Sequence, residues 1–199
     1  MITNRMYILA SSSSSRKKIL KNCSLKFIQV KPLCNEDKIK EKIDRKNKSP
    51  AYIAKKLSYE KAKSVSIIDK YRNNFIIGCD TLVYLNKKIF DKAKTMDQAK
   101  KKIKMLSGKK HKIISGITVC KDGKKIWQSS ETTVVKIKKL NDKQITLYLR
   151  KTGKQILSSV GCYQIESLGP NIIESIKGDF FNVMGLPLFK LLNHISKHK

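Results

Sequence analysis

Arginine is scarce in this chain. Of 44 basic residues among 199, only Arg5, Arg16, Arg45, Arg72 and Arg150 are arginines, and acids number 15, so lysine carries nearly all of the formal net charge of +29. Arginine is the preferred residue for bidentate recognition of phosphates and base edges, and its shortage argues against a dedicated reader of nucleic acid. The chain also has no recognised nucleic-acid-binding motif and no aromatic-rich basic stretch. A lysine, asparagine and isoleucine bias, giving a solvated lysine surface, is the simpler source of the charge. A field of this size still favours an anionic substrate or polymer.

Long apolar runs are missing too. Nothing approaches the ~18 residues of a bilayer-crossing helix. Met6-Tyr7-Ile8-Leu9-Ala10 is short of the ~7–15-residue core of a signal peptide and runs straight into serines. The expectation is a cytoplasmic protein without a membrane span. The cysteines Cys23, Cys34, Cys79, Cys120 and Cys162 are odd in number, widely spread and never in C-x-x-C spacing. They suggest neither a disulfide framework nor a zinc site, and read as buried reduced thiols. Among the few histidines, His111 is isolated. His194 and His198 have the i, i+4 spacing of helical metal ligands, but on a lysine-rich tail with no third ligand nearby.

With 40% hydrophobic residues the chain can fill one core, and its length fits a single domain over residues 1–199, with no linker that would divide it. Tyr7 to Ala10 reads as a buried strand and Arg16 to Asn22 as a short helix. Leu25 to Val30 alternates like a half-buried strand, and Cys34 to Lys48 is a polar loop or solvated helix start. Ser49-Pro50 opens a helix to about Ile67. Two apolar triplets between Asn74 and Leu85 form a strand split by Gly78-Cys79-Asp80-Thr81. Asp97 is expected to cap a helix ended by Gly108, and Ile113 to Cys120 with Ile126 to Gln128 to form a hairpin around Asp122-Gly123. Strand Glu131 to Ile137 follows, then a helix opened by Asn141, short strands around Tyr163-Gln164-Ile165 and Ile172 to Ile176, and a closing helix from Leu186 to Ile195. The alternation predicts an α/β fold with a mixed sheet.

Three features could carry chemistry. Ser11 to Ser15, between strand and helix, offers hydroxyls and free backbone N–H groups beside Arg16, Lys17 and Lys18, which suits an anion. It also suits a plain helix cap, and it lacks the Gly-Lys-Ser/Thr ending of a Walker loop. Asp80 places a carboxylate inside an apolar strand, where it needs a cation or a metal, for function or as a structural ion pair. Gly178-Asp179, ahead of Phe180 to Leu188, punctuates a turn into the last helix.

Taken in order, these pieces resemble the Maf family of nucleotide pyrophosphatases over nearly the full chain. Leu9 to Lys17 matches the family's Leu-Ala-Ser-x-Ser-Pro-Arg-Arg opening, Glu60-Lys61-Ala62 its Glu-Lys-Ala helix, and Gly78-Cys79-Asp80-Thr81 its Gly-Ala-Asp-Thr. Asp91-Lys92-Ala93 stands for Gly-Lys-Pro, Leu106-Ser107-Gly108 with His111 for Leu-Ser-Gly-x-x-His, and Gly178 to Leu188 for Gly-Asp-Tyr-x-x-x-x-Gly-Leu-Pro-Leu.

The resemblance implies a twisted mixed sheet with flanking helices, in two lobes around a central cleft as in inosine-triphosphate pyrophosphatases. It also implies hydrolysis of a nucleoside triphosphate to monophosphate and pyrophosphate with Mg²⁺ or Mn²⁺, and commonly a homodimer. By position, Ser11, Arg16, Lys61 and Lys92 would hold the triphosphate, Glu36 and Asp80 the metal, and Asp80 would be the general base. A substrate with about four negative charges requires such a cationic cradle before water reaches the α-phosphorus. Ser15, Thr81 and Glu166 fall at positions linked to base selection. Ser15 and Glu166 replace the arginine and glutamine of the branch preferring dTTP and UTP. Glu166 with Leu168-Gly169 looks more like the branches acting on modified nucleotides such as 7-methyl-GTP. Leu33 and Asn35 replace the first two acids of the family's Asp-x-Asp-Glu segment, leaving Glu36. The competing readings are a basic nucleic-acid-binding protein and a catalytically silent homologue.

Overall fold

The computed structural model describes residues 5–43 and 47–197, so Arg45 and His198 lie outside the described residues. The fold is mixed α/β, with strands in the order β2-β1-β3-β5-β6-β7 and β4 paired to β3. These are Tyr7–Ala10 (β1), Phe27–Val30 (β2), Phe75–Leu85 (β3), Lys88–Phe90 (β4), Lys110–Lys121 (β5), Lys124–Ile137 (β6) and Ile173–Lys177 (β7). The helices are Ser14–Asn22 (α1), Glu36–Lys42 (α2), Pro50–Ser66 (α3), Met96–Leu106 (α4), Asp142–Thr152 (α5), Phe180–Val183 (α6) and Leu188–Lys197 (α7). The chain forms two compact units, Met1–Thr81 with Ser115–Glu131 and Gly185–Lys199, and Leu82–Ile114 with Thr132–Met184.

In the first unit β1 lies parallel to β2 and to β3, with Ile8 opposite both Ile28 and Ile76. A strand flanked on both sides by parallel neighbours is covered on both faces, which is why Tyr7-Ile8-Leu9-Ala10 is apolar throughout and wholly buried. Ser13 caps α1, its hydroxyl accepting the Arg16 N–H at 3.3 Å. Ser49 caps α3 with Pro50 at the first helical position. Of the two readings of the polar segment after Cys34, the solvated helix is the one found over Glu36–Lys42, where Asn35 caps α2 by accepting the Lys38 N–H at 3.0 Å.

The second unit packs α4 and α5 around Ile103, Leu106, Val135, Ile137, Ile145 and Leu149. β6 pairs antiparallel with β7, with an irregularity between Lys136 and Ile137. Thr95 caps α4 in place of Asp97, which sits in the first turn, where its charge favours the helix dipole. Asn141 and Gln144 form a reciprocal capping box on α5. Residues 163–165 are not a strand: Gln164 O accepts both Ser167 N–H at 3.1 Å and Gly169 N–H at 2.8 Å, so a turn satisfies this backbone locally. The residues of the expected strands 126–128 and 131–137 belong to the one strand β6, which no glycine or proline interrupts. The turn read at Gly178-Asp179 leads into α6, with the Asp179 carboxylate accepting the Phe181 N–H at 2.8 Å. Among the described residues no helix is long and apolar enough to cross a membrane.

Candidate active site

The buried face of α3 carries two rows at i, i+4 spacing. One row is Ile53, Leu57, Lys61 and Val65, with a lysine where the period asks for an apolar residue. The other is Ala54, Ser58, Ala62 and Ser66, all small, and it lets the helix approach the strands closely. A Cβ on Gly78 would lie 2.2 Å from Ser58 O, and one on Gly116 would lie 2.3 Å from Ala54 O. The Ser58 and Thr118 hydroxyls meet at 2.7 Å in the same contact. Backbone-to-backbone packing of this kind fixes α3 on β3, and it brings Lys61 to Asp80.

Lys61 Nζ donates to Asp80 Oδ1 at 2.6 Å and lies 3.0 Å from Glu36 Oε1. The Lys61 and Asp80 side chains are buried, whereas Glu36, in the first turn of α2, is 43% exposed. Burial alone would depress the Lys61 pKa. The carboxylate charges of Asp80 and Glu36 outweigh burial and the repulsion of Arg16, and hold the ammonium above the usual lysine range.

Arg16 is buried beside this pair, and its partners are neutral. Nε donates to Gly185 O at 2.7 Å, Nη1 to Ser11 Oγ at 3.1 Å and Nη2 to Thr81 Oγ1 at 3.0 Å. Among the described residues no carboxylate forms an ion pair with it. A buried guanidinium satisfied by a carbonyl and two hydroxyls keeps its full charge for an anion. The Ser11 hydroxyl also accepts the Ser13 N–H at 3.2 Å. With two donors already on its oxygen, its own proton points elsewhere. Gln29 holds this loop, its amide donating to Ser11 O at 2.8 Å and to Ser13 O at 3.2 Å.

The structure therefore brings together Ser11, Arg16, Glu36, Lys61, Asp80 and Thr81 in the first unit. Ser15 is half-buried on α1 in the same unit. Lys92, exposed between β4 and α4, and Glu166, half-buried in the turn after Ile165, belong to the second unit. His111, also of that unit, is buried against Tyr163 and has no part in the cluster. Sequence reasoning missed Ser115, whose hydroxyl meets Thr81 Oγ1 at 2.9 Å. It also missed the Gly185 carbonyl, which accepts from Arg16. The signal for Ser115 was the one that singled out Asp80, a polar residue within an apolar strand.

The family model for Maf-like protein matches residues 6–198. The chain belongs to the Maf family. A nucleoside triphosphate pyrophosphatase of Caulobacter vibrioides is 36% identical over 190 residues, covering 96% of this chain and 94% of that protein. A 7-methyl-GTP pyrophosphatase of Bartonella quintana is 38% identical over 185 residues, 93% of this chain and 91% of that one. Another 7-methyl-GTP pyrophosphatase, from Brucella suis, is 32% identical over 192 residues, 96% of each. In this Maf chain the opening serine segment, the α3 lysine and the β3 aspartate converge on one cluster of two buried cations and one buried carboxylate.

Proposed function

We propose that the chain hydrolyses nucleoside triphosphates of the cytoplasmic pool to the monophosphate and pyrophosphate, using Mg²⁺ or Mn²⁺. The observation that carries this reading is Arg16, a buried cation whose hydrogen-bond partners among the described residues are all neutral, placed next to the Lys61–Asp80 pair.

Each residue has a part that follows from its donors and acceptors. Ser11 offers its free hydroxyl proton and Arg16 its remaining N–H groups to phosphate oxygens. Lys61 supplies charge beside them, and Lys92 is the further phosphate ligand implied by position. Asp80 orients the attacking water and takes its proton as the oxygen bonds to the α-phosphorus. The bond from that phosphorus to the bridging oxygen breaks, and pyrophosphate leaves carrying the bridging oxygen. The proton on Asp80 then passes to solvent.

Glu36 and Asp80 fit a hard divalent cation. Their oxygens converge on one ammonium, so they already face a shared cation position, and Mg²⁺ is commonly held by one or two carboxylates together with substrate phosphates. Among the described residues no cluster of three or more metal-binding side chains is present, so substrate phosphates would have to complete the coordination of such an ion. When bound, the ion neutralises charge on the phosphates and polarises them.

For the base, we favour 7-methyl-GTP. N7-methylation gives guanine a positive ring with N1–H and N2–H donors, to which the Glu166 carboxylate is complementary in charge and in hydrogen bonding. Several of the relatives bear the name 7-methyl-GTP pyrophosphatase. Ser15 and Thr81 are the other positions proposed for base selection.

Pyrophosphate release from a panel of canonical and modified nucleoside triphosphates, with and without Mg²⁺ or Mn²⁺, tests this reading. Release that requires metal, is fastest with 7-methyl-GTP and is lost in Asp80→Asn is expected. No release from any nucleotide would identify a silent homologue.

A further inference from the structure

Ser115 has no solvent exposure and sits in β5 between Ile113-Ile114 and Gly116-Ile117. A buried hydroxyl is costly unless it is hydrogen-bonded, so its bonding shows what it is for. Gly185 O can only accept, and it receives Arg16 Nε–H at 2.7 Å, Thr81 O–H at 3.2 Å and the Cys79 thiol at 3.1 Å. Either of the Thr81 and Ser115 hydroxyls can be the donor between them. Among the described residues, however, Thr81 has a second acceptor in Gly185 O, whereas the Ser115 hydroxyl has only Thr81 Oγ1, so the arrangement that satisfies both protons sends the Thr81 proton to Gly185 O. The lone pairs of Thr81 Oγ1 therefore take Arg16 Nη2–H at 3.0 Å and, at 2.9 Å, the Ser115 hydroxyl proton. Ser115 donates, Thr81 passes on the polarity, and Gly185 O closes the ring on Arg16.

We propose that Ser115 is a positioning residue for Arg16. Nε and Nη2 form one edge of the guanidinium, and this edge is clamped by Gly185 O and by a Thr81 oxygen that Ser115 holds in the accepting orientation. The remaining N–H groups of Nη1 and Nη2 are thereby aimed in one direction, and preorganised donors of this kind need no rearrangement when the charged substrate arrives. Gly185 is built for the arrangement. Its φ of +102° favours glycine, and a Cβ there would point at the clamp, 3.4 Å from Thr81 Oγ1 and 3.7 Å from Arg16 Nε. The inference rests on the reading of Arg16 as a phosphate ligand.

A double-mutant cycle with Ser115→Ala and Arg16→Lys tests it, with kcat and KM measured for the best triphosphate and thermal unfolding recorded for each protein. Arg16→Lys is expected to lower kcat/KM sharply. Ser115→Ala is expected to lower it roughly 10- to 100-fold in the native background, the scale of a misplaced binding group. It should cause almost no further loss when Arg16 is already lysine, and Ser115→Thr should restore most of the activity. Equal losses from Ser115→Ala in both backgrounds would mean a merely structural serine and overturn the inference. If Arg16→Lys costs nothing, the phosphate-binding reading of Arg16 falls first and this one with it. Should Ser115→Ala not fold, Thr81→Val breaks the same link, and additivity with Arg16→Lys would overturn the inference in the same way.

Discussion

Lys61 Nζ lies 2.6 Å from Asp80 Oδ1, with both side chains nearly out of solvent. Removing one member of such a pair leaves the other charge buried, which costs about 3–5 kcal/mol, whereas removing both is often near neutral. Asp80→Asn should therefore lower both stability and turnover, the latter by roughly 10²–10⁴ as expected for a lost general base. In the double variant Asp80→Asn, Lys61→Met, stability should return towards the native value while activity stays lost. Urea unfolding beside a pyrophosphate assay checks both halves. A double variant as unstable as Asp80→Asn alone would show that the pair is held by more than its charges.

Glu36 is the exposed partner of Lys61, 3.0 Å from its ammonium. Losing an exposed ion-pair partner alters stability by about 1 kcal/mol or less. Glu36→Gln should accordingly melt close to the native protein but require a higher Mg²⁺ or Mn²⁺ concentration for half-maximal pyrophosphate release. An unchanged metal requirement would remove Glu36 from the metal site.

Gly78 faces Ser58 O and the Ala62 backbone of α3 so closely that a Cβ would lie 2.2 Å and 2.7 Å from them. Gly78→Ala must push α3 away from β3, and overpacking of this kind costs about 1–3 kcal/mol or more. Because Lys61 and Asp80 lie on the two elements being separated, activity should fall by more than the population of unfolded protein explains. Gly116→Ala, which meets Ala54 of the same helix, should destabilise comparably. Thermal unfolding and kcat for the two variants provide the check.

The α/β class and most elements were legible because local rules agreed with the fold: caps at Ser49 and Asn141, and continuous apolar runs in the parallel strands. Errors arose where the rule was ambiguous. Thr95 and Asp97 are both capping residues, and only the placement of the backbone decides between them. Tyr163 to Ile165 has strand composition, but turn bonds to Gln164 O capture it. In the candidate site, Asp80 was visible as a charge in an apolar strand, and Lys61, in hindsight, as a lysine in an apolar helical row. The neutral clamp on Arg16 was not legible, because it joins residues separated by 65 to 169 positions and includes a main-chain carbonyl, which has no sequence signature.

His111 makes the stability of the second unit depend on pH. It is buried in the second unit, with Nε2 2.6 Å from Tyr163 Oη and, among the described residues, no hydrogen-bond partner for Nδ1. Burial lowers its pKa from 6.5 to about 4, and burial pushes the Tyr163 phenol far up, so both groups are neutral in the fold. The folded state binds fewer protons than the unfolded state between these two values. The contribution of neutral His111 is therefore complete above the unfolded pKa, and it is lost as pH falls from about 6.5 towards about 4. At 1.36 kcal/mol per unit the total is about 3 kcal/mol, most of it gone by about pH 4.5. Lys61 acts at the other extreme: its pKa is raised in the fold, so its contribution is intact at neutral pH and is lost only as pH rises through that elevated value. Urea unfolding at about pH 7 and about pH 4.5 should show the native protein losing about 2–3 kcal/mol more than His111→Gln on acidification. Parallel losses in the two proteins would mean that His111 takes up its proton without unfolding this core.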